Sequence, residues 1–211
     1  MGETQLICPP VQDHLTTQVV IVGSGAAGMR TALDLADAGV PTLLVTRGEL
    51  TDSATDWAQG GLAAVWRADD SVDLHVADTL TAGAGLCDEQ AVRTLVTRAP
   101  GALRRLMADG ASFDTDDAGD IDLHLEGGHH ARRILHAGGD QSGHEVEMAL
   151  ARRAGALDVC DHARLIDICT DCRGAACGVL VARGGTTVEI SCDHVVLATG
   201  GIGQLWSTTT N

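Results

Sequence analysis

Residues 18–22 are a short apolar run with no polar alternation, the pattern of a strand buried on both faces of a parallel sheet. The spacing then turns helical. Met29, Ala32, Leu33 and Ala36 recur on one face of residues 26–38, and Gly39 follows as a helix-ending glycine. Val40 to Val45 reads as a second buried strand, so residues 18–45 predict a βαβ unit. Residues 71–80 and 88–109 carry helical patterns, the second interrupted at Pro100, where two helices are expected to meet. Residues 112–130, rich in Asp, Gly and His, read as loop or short hairpin, and 143–153 as a further helix. Segments 163–169, 177–183 and 186–190 are β-prone and separated by turn residues, which predicts a small meander. A last strand is expected at 194–198. The architecture predicted is α/β: a Rossmann-like domain with a parallel sheet over residues 18–211, plus the meander, preceded by a loose leader at 1–17.

Composition narrows the function. The chain has 211 residues, enough for a sizeable core, but only 2% are aromatic, so that core is built from Ala, Val, Leu and Ile. Scarce aromatics and a formal net charge of −15 argue against a nucleic-acid partner, which needs Lys, Arg and stacking platforms. There is no apolar stretch long enough to span a membrane, and residues 1–17 lack a secretory pattern, so no membrane association and a cytoplasmic location are expected. Seven cysteines without regular pairing fit reduced thiols. Cys169, Cys172, Cys177 and Cys192 match neither a zinc-knuckle nor an iron–sulfur spacing, and no His-Glu-x-x-His ligand pair occurs among the histidines, so no metal is assigned.

Chemistry enters at Gly23-Ser24-Gly25-Ala26-Ala27-Gly28, which follows a strand and opens a helix. In that context the first glycine permits the turn, the second admits a pyrophosphate and the third lets helix and strand pack. The second strand ends Val45-Thr46-Arg47, where dinucleotide folds usually place an acid; Arg47 is suited to the adenosine portion or a phosphate, and on generic grounds points to NADP. The strand at 194–198 likewise runs into Thr199, Gly200 and Gly201.

Further along, Thr55-Asp56-Trp57-Ala58-Gln59-Gly60-Gly61 resembles the flavin-wrapping segment of the L-aspartate oxidase family, relatives of the succinate dehydrogenase and fumarate reductase flavoproteins. The resemblance extends through Asp78-Thr79-Leu80, Ala82-Gly83, Gly85-Leu86-Cys87-Asp88, Glu126-Gly127-Gly128-His129, Arg132 to Ala137, and Val196 to Gly201 with Thr209-Thr210-Asn211. It implies FAD as cofactor. Gly23 and Gly28 would shape the turn, and Ser24, Gly25, Ala26 and Ala27 would hold its pyrophosphate. Arg47 would stand where the oxidases carry a basic residue. Ala54, Thr55, Asp56, Trp57, Ala58, Gln59, Gly60 and Gly61 would pass along the flavin ring, and Thr199 and Gly200 would close the site. The succinate branch attaches its flavin through a histidine that aligns at or near Ala54; no His lies between His14 and His75, so the FAD is expected to be non-covalent.

The same resemblance makes Glu126 the discriminating side chain, a carboxylate that suits the ammonium group of L-aspartate and repels a succinate dianion. Arg132, Arg133 and His136 are expected as scaffold or flavin-side residues without a proton role, and His144-Glu145-x-Glu147 as a surface feature. The implied activity is oxidation of L-aspartate to iminoaspartate, the first step of NAD synthesis, with dioxygen or fumarate reoxidising the flavin. The family's substrate-gripping arginine and histidines, its complete capping domain and its helical C-terminal region correspond to positions beyond Asn211. The chain is therefore expected to be an N-terminal portion with no catalytic residue of its own and negligible activity alone. The rival readings are a succinate or fumarate flavoprotein, a nicotinamide-dependent dehydrogenase, and a non-catalytic remnant.

Overall fold

The computed structural model describes residues 10–209. In chain order the elements are β1 (Val11–Thr16), β2 (Val19–Val22), α1 (Ala26–Asp37), β3 (Thr42–Val45), β4 (Leu62–Ala63), α2 (Val72–Ala82), α3 (Glu89–Ala108), β5 (Leu123–His124), β6 (Ile134–Leu135) and α4 (Ser142–Ala154). The chain continues through β7 (Asp158–Cys160), β8 (Ala163–Thr170), β9 (Ala176–Arg183), β10 (Thr186–Ser191) and β11 (His194–Leu197). The stretch from 18 onward, expected as one domain, divides into two compact units: one runs to Ala54 and resumes at Leu150, the other spans Thr55–Ala149.

The first unit holds a parallel sheet in the order β11-β2-β3-β7. Strands β2 and β11, far apart in sequence, are thus direct neighbours, with His194 beside Val19 and Leu197 beside Val22. Val20, Val22 and Val45 pack with Val179, Val181 and Ile190 of the meander in one buried cluster. Ile21 and Leu44, alternating to the opposite face, are also fully buried, as are Met29 and Ala32 of α1. Each large side chain of this kind stabilises the fold by about 1.5–3 kcal/mol. Helix α1 ends in a paired-bond glycine motif: Gly39, at φ +74°, donates to the Ala36 carbonyl and Val40 to that of Leu35, both at 2.9 Å. Val40, read from sequence as strand, is consumed by that motif, and β3 begins at Thr42.

The meander forms as expected, β8-β9-β10, but a fourth strand joins it. Val11–Thr16, expected within a loose leader, pairs in parallel with β10. Its side chains are largely exposed, so it carried no burial pattern; what holds it is the backbone ladder of an edge strand. Residues 1–9 of that leader, and Thr210 and Asn211, lie outside the described residues.

In the second unit, Ser71 caps α2 through the Leu74 N–H and Asp88 caps α3 through that of Ala91, at 3.2 and 2.7 Å. The two helices bury Val76 against Val92 and Val96. Helix α3 runs unbroken through Pro100, contrary to the break expected there. Proline removes one helical hydrogen bond, and the burial of Val92, Val96 and Leu103 along the helix offsets that loss. Residues 112–130 contribute β5, which pairs with β6 beside β4 in a three-stranded sheet over a core of Leu103, Phe113, Leu123 and Leu135. No helix among the described residues is long and apolar enough to cross a membrane.

Candidate functional site

In the first unit three strand ends converge on the glycine turn. The Gly23 N–H donates to the Val45 carbonyl and the Ala198 N–H to that of Val22, both at 2.8 Å. Gly23 sits at φ +113°, a conformation that favours glycine, and a Cβ there would strike the Ala198 carbonyl. A Cβ on Gly28 would meet the Gly23 carbonyl in the same way. Both glycines are therefore demanded by backbone packing, which closes helix onto strand as a pyrophosphate-binding turn requires. Ser24 is buried, and its hydroxyl shares a 2.8 Å hydrogen bond with that of Thr46, tying the end of β2 to the end of β3.

The N-terminus of α1 contrasts with its counterparts. Helices α2 and α3 have side-chain caps and an acidic residue in the first turn; α1 has Gly25 as N-cap and no acid. The Gly25 N-cap makes no side-chain cap hydrogen bond, and the first turn of α1 carries no acidic residue to repel an anion at the positive end of the helix. Together with the two packing-required glycines, this is a cradle of the kind that fits the diphosphate of a dinucleotide. Arg47 stands exposed at the end of β3, and Ala54, Thr199 and Gly200 are exposed as well, Gly200 at φ +70°.

Nearby, the 46–49 segment runs beside 160–163: Ala163 N–H donates to the Thr46 carbonyl at 2.8 Å, and His162 Nε2 lies 3.1 Å from Glu49 Oε1. Glu49, Asp161 and His162 are the one group of potential metal ligands drawn together among the described residues, and Arg183 already binds Asp161 at 2.6 Å.

The second unit carries the 55–61 segment. It is anchored from α4: the Gly143 N–H donates to the Ala58 carbonyl at 2.9 Å, and a Cβ on Gly143 would strike the Thr55 carbonyl. His144 Nδ1 pairs with Asp56 at 2.7 Å, and Glu145 accepts the Ser112 N–H at 2.7 Å. His144 lies at the surface as expected and also fastens the 55–58 segment, whereas Glu147, expected at the surface with it, is completely buried on the inward side of α4. Trp57, Ala58, Gln59 and Gly60 are exposed. A Cβ on Gly60 would meet open space, whereas Gly61 is pressed against Ile134, the Leu135 carbonyl and His136.

Glu126 is 45% exposed at its side chain, and its Oε1 lies 2.7 Å from His136 Nε2. His136 Nδ1 in turn donates to the Gly139 carbonyl at 2.8 Å. Sequence reasoning gave His136 no such partner, because nothing in the spacing of residues 126 and 136 signals it.

Beneath these loops Arg133 is completely buried between Asp70 and Asp78. Burial alone would raise the Asp78 carboxyl; hydrogen bonds from the His130 backbone and ring and from Arg133 override it and hold the group well below the carboxylate range. Burial disfavours the Arg133 charge too, but Asp70 and Asp78 more than restore it. His75, buried beside this cluster, is pushed down by desolvation first and by the Arg133 and His129 charges next. Arg132, by contrast, is exposed.

Residues 18–211 match the model of the FAD binding domain family. An L-aspartate oxidase of Streptomyces coelicolor is 48% identical over 204 residues, covering 93% of this chain and 35% of that protein. One from Mesorhizobium japonicum is 43% identical over 202 residues, covering 94% of this chain and 39% of the relative. Among solved structures, an E. coli quinol fumarate reductase superposes with a TM-score of 0.87 at 28% identity, covering 92% of this chain and 34% of its own. The chain thus spans little more than a third of the length of the relatives it matches.

Proposed function

Because the chain belongs to the FAD binding domain family, whose cofactor its glycine cradle fits, we propose that it serves FAD-dependent oxidation of L-aspartate to iminoaspartate, the opening step of NAD biosynthesis. The observation that carries this reading is the 48% identity to an L-aspartate oxidase along 93% of the chain, joined to a carboxylate at Glu126. When bound, FAD supplies a two-electron oxidant that accepts hydride from a substrate carbon.

The chain's own residues supply position and charge. In the first unit the α1 amides from Gly25 to Ala27, opened by Gly23 and Gly28, would bind the pyrophosphate, with Arg47 beside the adenosine and Thr199 and Gly200 completing that half. In the second unit the segment from Thr55 through Gly61, continuing from Ala54, would run along the flavin ring without a covalent bond. Gly143 and His144 fix that segment by its Ala58 carbonyl and Asp56 carboxylate. Glu126 would receive the substrate's ammonium group in a charge-assisted hydrogen bond, orienting it for loss of the Cα hydrogen.

Groups that grip the two substrate carboxylates are proposed to come from outside this chain, so the 211 residues alone would turn over aspartate negligibly. Dioxygen or fumarate is the proposed electron acceptor and the cytoplasm the proposed location, with neither a membrane nor a nucleic acid as partner. A succinate or fumarate activity, favoured by the fumarate reductase likeness, is opposed by the charge of Glu126. Anaerobic mixing of the FAD-loaded protein at its relatives' full length with L-aspartate or with succinate separates the two. Bleaching of the flavin by L-aspartate alone supports the proposal; bleaching by succinate alone overturns it.

A further inference from the structure

The turn that carries Glu126 is not held by packing. Leu125, Glu126, Gly127 and Gly128 are all exposed, and consecutive glycines give the loop great backbone freedom. Inside it the His129 N–H donates to the Glu126 carbonyl at 3.2 Å, with Gly128 at φ +82° in the third position of the turn. Such a turn fixes its own shape but not the direction in which it points.

Its attachment is a side chain of α2. Asp78 Oδ2 accepts the His130 N–H at 3.0 Å, and Oδ1 takes the His130 ring nitrogen Nδ1. Among the described residues, the His130 amide is the one backbone N–H of residues 125–131 bonded to a group outside that loop. Ala82 follows Asp78 by one helical turn on the same face of α2, and a Cβ on Gly128 would lie 3.7 Å from its methyl. The turn thus runs along α2 and is fastened at Asp78.

Asp78 is not needed to neutralise Arg133. Asp70 already takes two guanidinium nitrogens in a parallel pair. Arg133 donates a single bond to Asp78, from Nη1 at 2.7 Å, and the same nitrogen lies 3.3 Å from His129 Nδ1 inside the turn. Burial opposes the Asp78 charge; of the bonds that outweigh it, the one from the His130 N–H comes first, then those from the His130 ring and Arg133. At the other end of the loop the Glu126 carboxylate reaches His136, so its backbone and its side chain are steadied from separate elements.

We propose that Asp78 is the positioning residue for Glu126: by stapling His130 to α2 it aims the Glu126 carboxylate at the ammonium group that distinguishes an amino-acid substrate from a plain dicarboxylate. This rests on the L-aspartate reading. Asp78 is buried and acts only through the loop. Its contribution is orientation, which a charge-assisted hydrogen bond needs and a freely turning loop does not supply. Loss of the staple therefore costs recognition of the ammonium group far more than recognition of the carboxylates.

Amide hydrogen exchange in the 211-residue chain, without cofactor, tests the staple. The wild-type His130 amide should exchange at least ~hundredfold slower than an unstructured amide. Asp78→Ala should abolish that protection while Val92 and Val96 keep theirs. Asp78→Asn, whose amide oxygen can still accept the His130 N–H, should restore it. An unprotected wild-type His130, or protection that survives in a folded Asp78→Ala, overturns the proposal. Should Asp78→Ala lose the protection of Val92 and Val96 as well, Asp78→Ser takes its place, leaving room for a water against Arg133.

A second arm compares ligands in the FAD-loaded protein at its relatives' full length, followed anaerobically by flavin absorbance. In Asp78→Ala the L-aspartate concentration that half-saturates flavin reduction should rise at least ~tenfold, while the Kd of succinate, which has no ammonium group, should rise by less than ~threefold. Asp78→Asn should match the wild type for both ligands. Equal losses for the two mean that Asp78 only supports the fold and overturn the proposal, as does an unchanged response to L-aspartate. A wild type whose flavin L-aspartate does not reduce sinks the substrate reading instead, while amide exchange still decides the staple.

Discussion

Arg133 and Asp70 meet through two parallel hydrogen bonds, Nε to Oδ2 at 2.8 Å and Nη2 to Oδ1 at 2.7 Å, with side chains 0% and 1% exposed. The remaining guanidinium nitrogen reaches Asp78 at 2.7 Å. This joins α2 and the preceding Asp70 to the loop before β6, and so links two of the segments that carry the family resemblance. Their shared occurrence in the sequence has a structural cause.

Removing Arg133 would strand two buried carboxylates. Arg133→Leu is expected to destabilise the protein by about 3–5 kcal/mol, the cost typical of breaking a buried ion pair by one partner. Urea unfolding measures it. A loss below ~1 kcal/mol would mean the cluster is hydrated, contrary to the burial of its members.

Acid should weaken the fold in two stages. The folded His75 value is depressed, so its contribution is fully present above the unfolded value of about 6.5 and is lost as pH falls below it. Asp78 is also depressed, so its contribution is present above about 3.9 and is lost as pH falls through its lower folded value. Unfolding free energies measured from pH 8 to pH 3 should show both stages. His75→Phe should remove the first and Asp78→Asn the second. An unchanged slope between pH 6.5 and 5 in His75→Phe would contradict the assignment.

How much of this could be read before the structure follows from the length of each signal. Strands β2 and β11 were legible because their apolar runs are continuous, and α1 because its apolar spacing and closing glycine agree. Strands β4, β5 and β6 are two residues long, too short for any period, and exist through pairing alone. Pro100 misled because its local penalty is real but smaller than the packing on either side of it. At the site, the glycines of the turn were legible through their context. The support of the 55–58 segment by Gly143 and the partnering of Glu126 with His136 were not, since contacts between loops leave no spacing in the chain.

Gly60 and Gly61 should respond oppositely to the same change. Gly60→Ala places its methyl in open space and should alter stability by no more than ~0.5 kcal/mol, while weakening FAD binding if the segment lies along the ring. Gly61→Ala drives a methyl against Ile134 and His136 and should cost about 1–3 kcal/mol. Thermal unfolding of the two variants checks the contrast. Equal midpoints would show that the 61–136 contact yields without cost.

Gly25 offers the most direct test of cofactor binding at the glycine turn. It is the N-cap of α1, with an extended backbone that any residue adopts, φ −66° and ψ 176°. Aspartate is a favoured N-cap residue, so Gly25→Asp should hold or raise stability while setting a negative charge where the pyrophosphate is expected. Titrating FAD into the 211-residue chain and following the flavin absorbance and fluorescence should give weak but saturable binding of one FAD per chain. In Gly25→Asp, binding should fall at least ~tenfold, about 1.4 kcal/mol, with the melting temperature preserved. Absence of saturable binding by the wild type, or equal binding by a well-folded Gly25→Asp, would contradict the account.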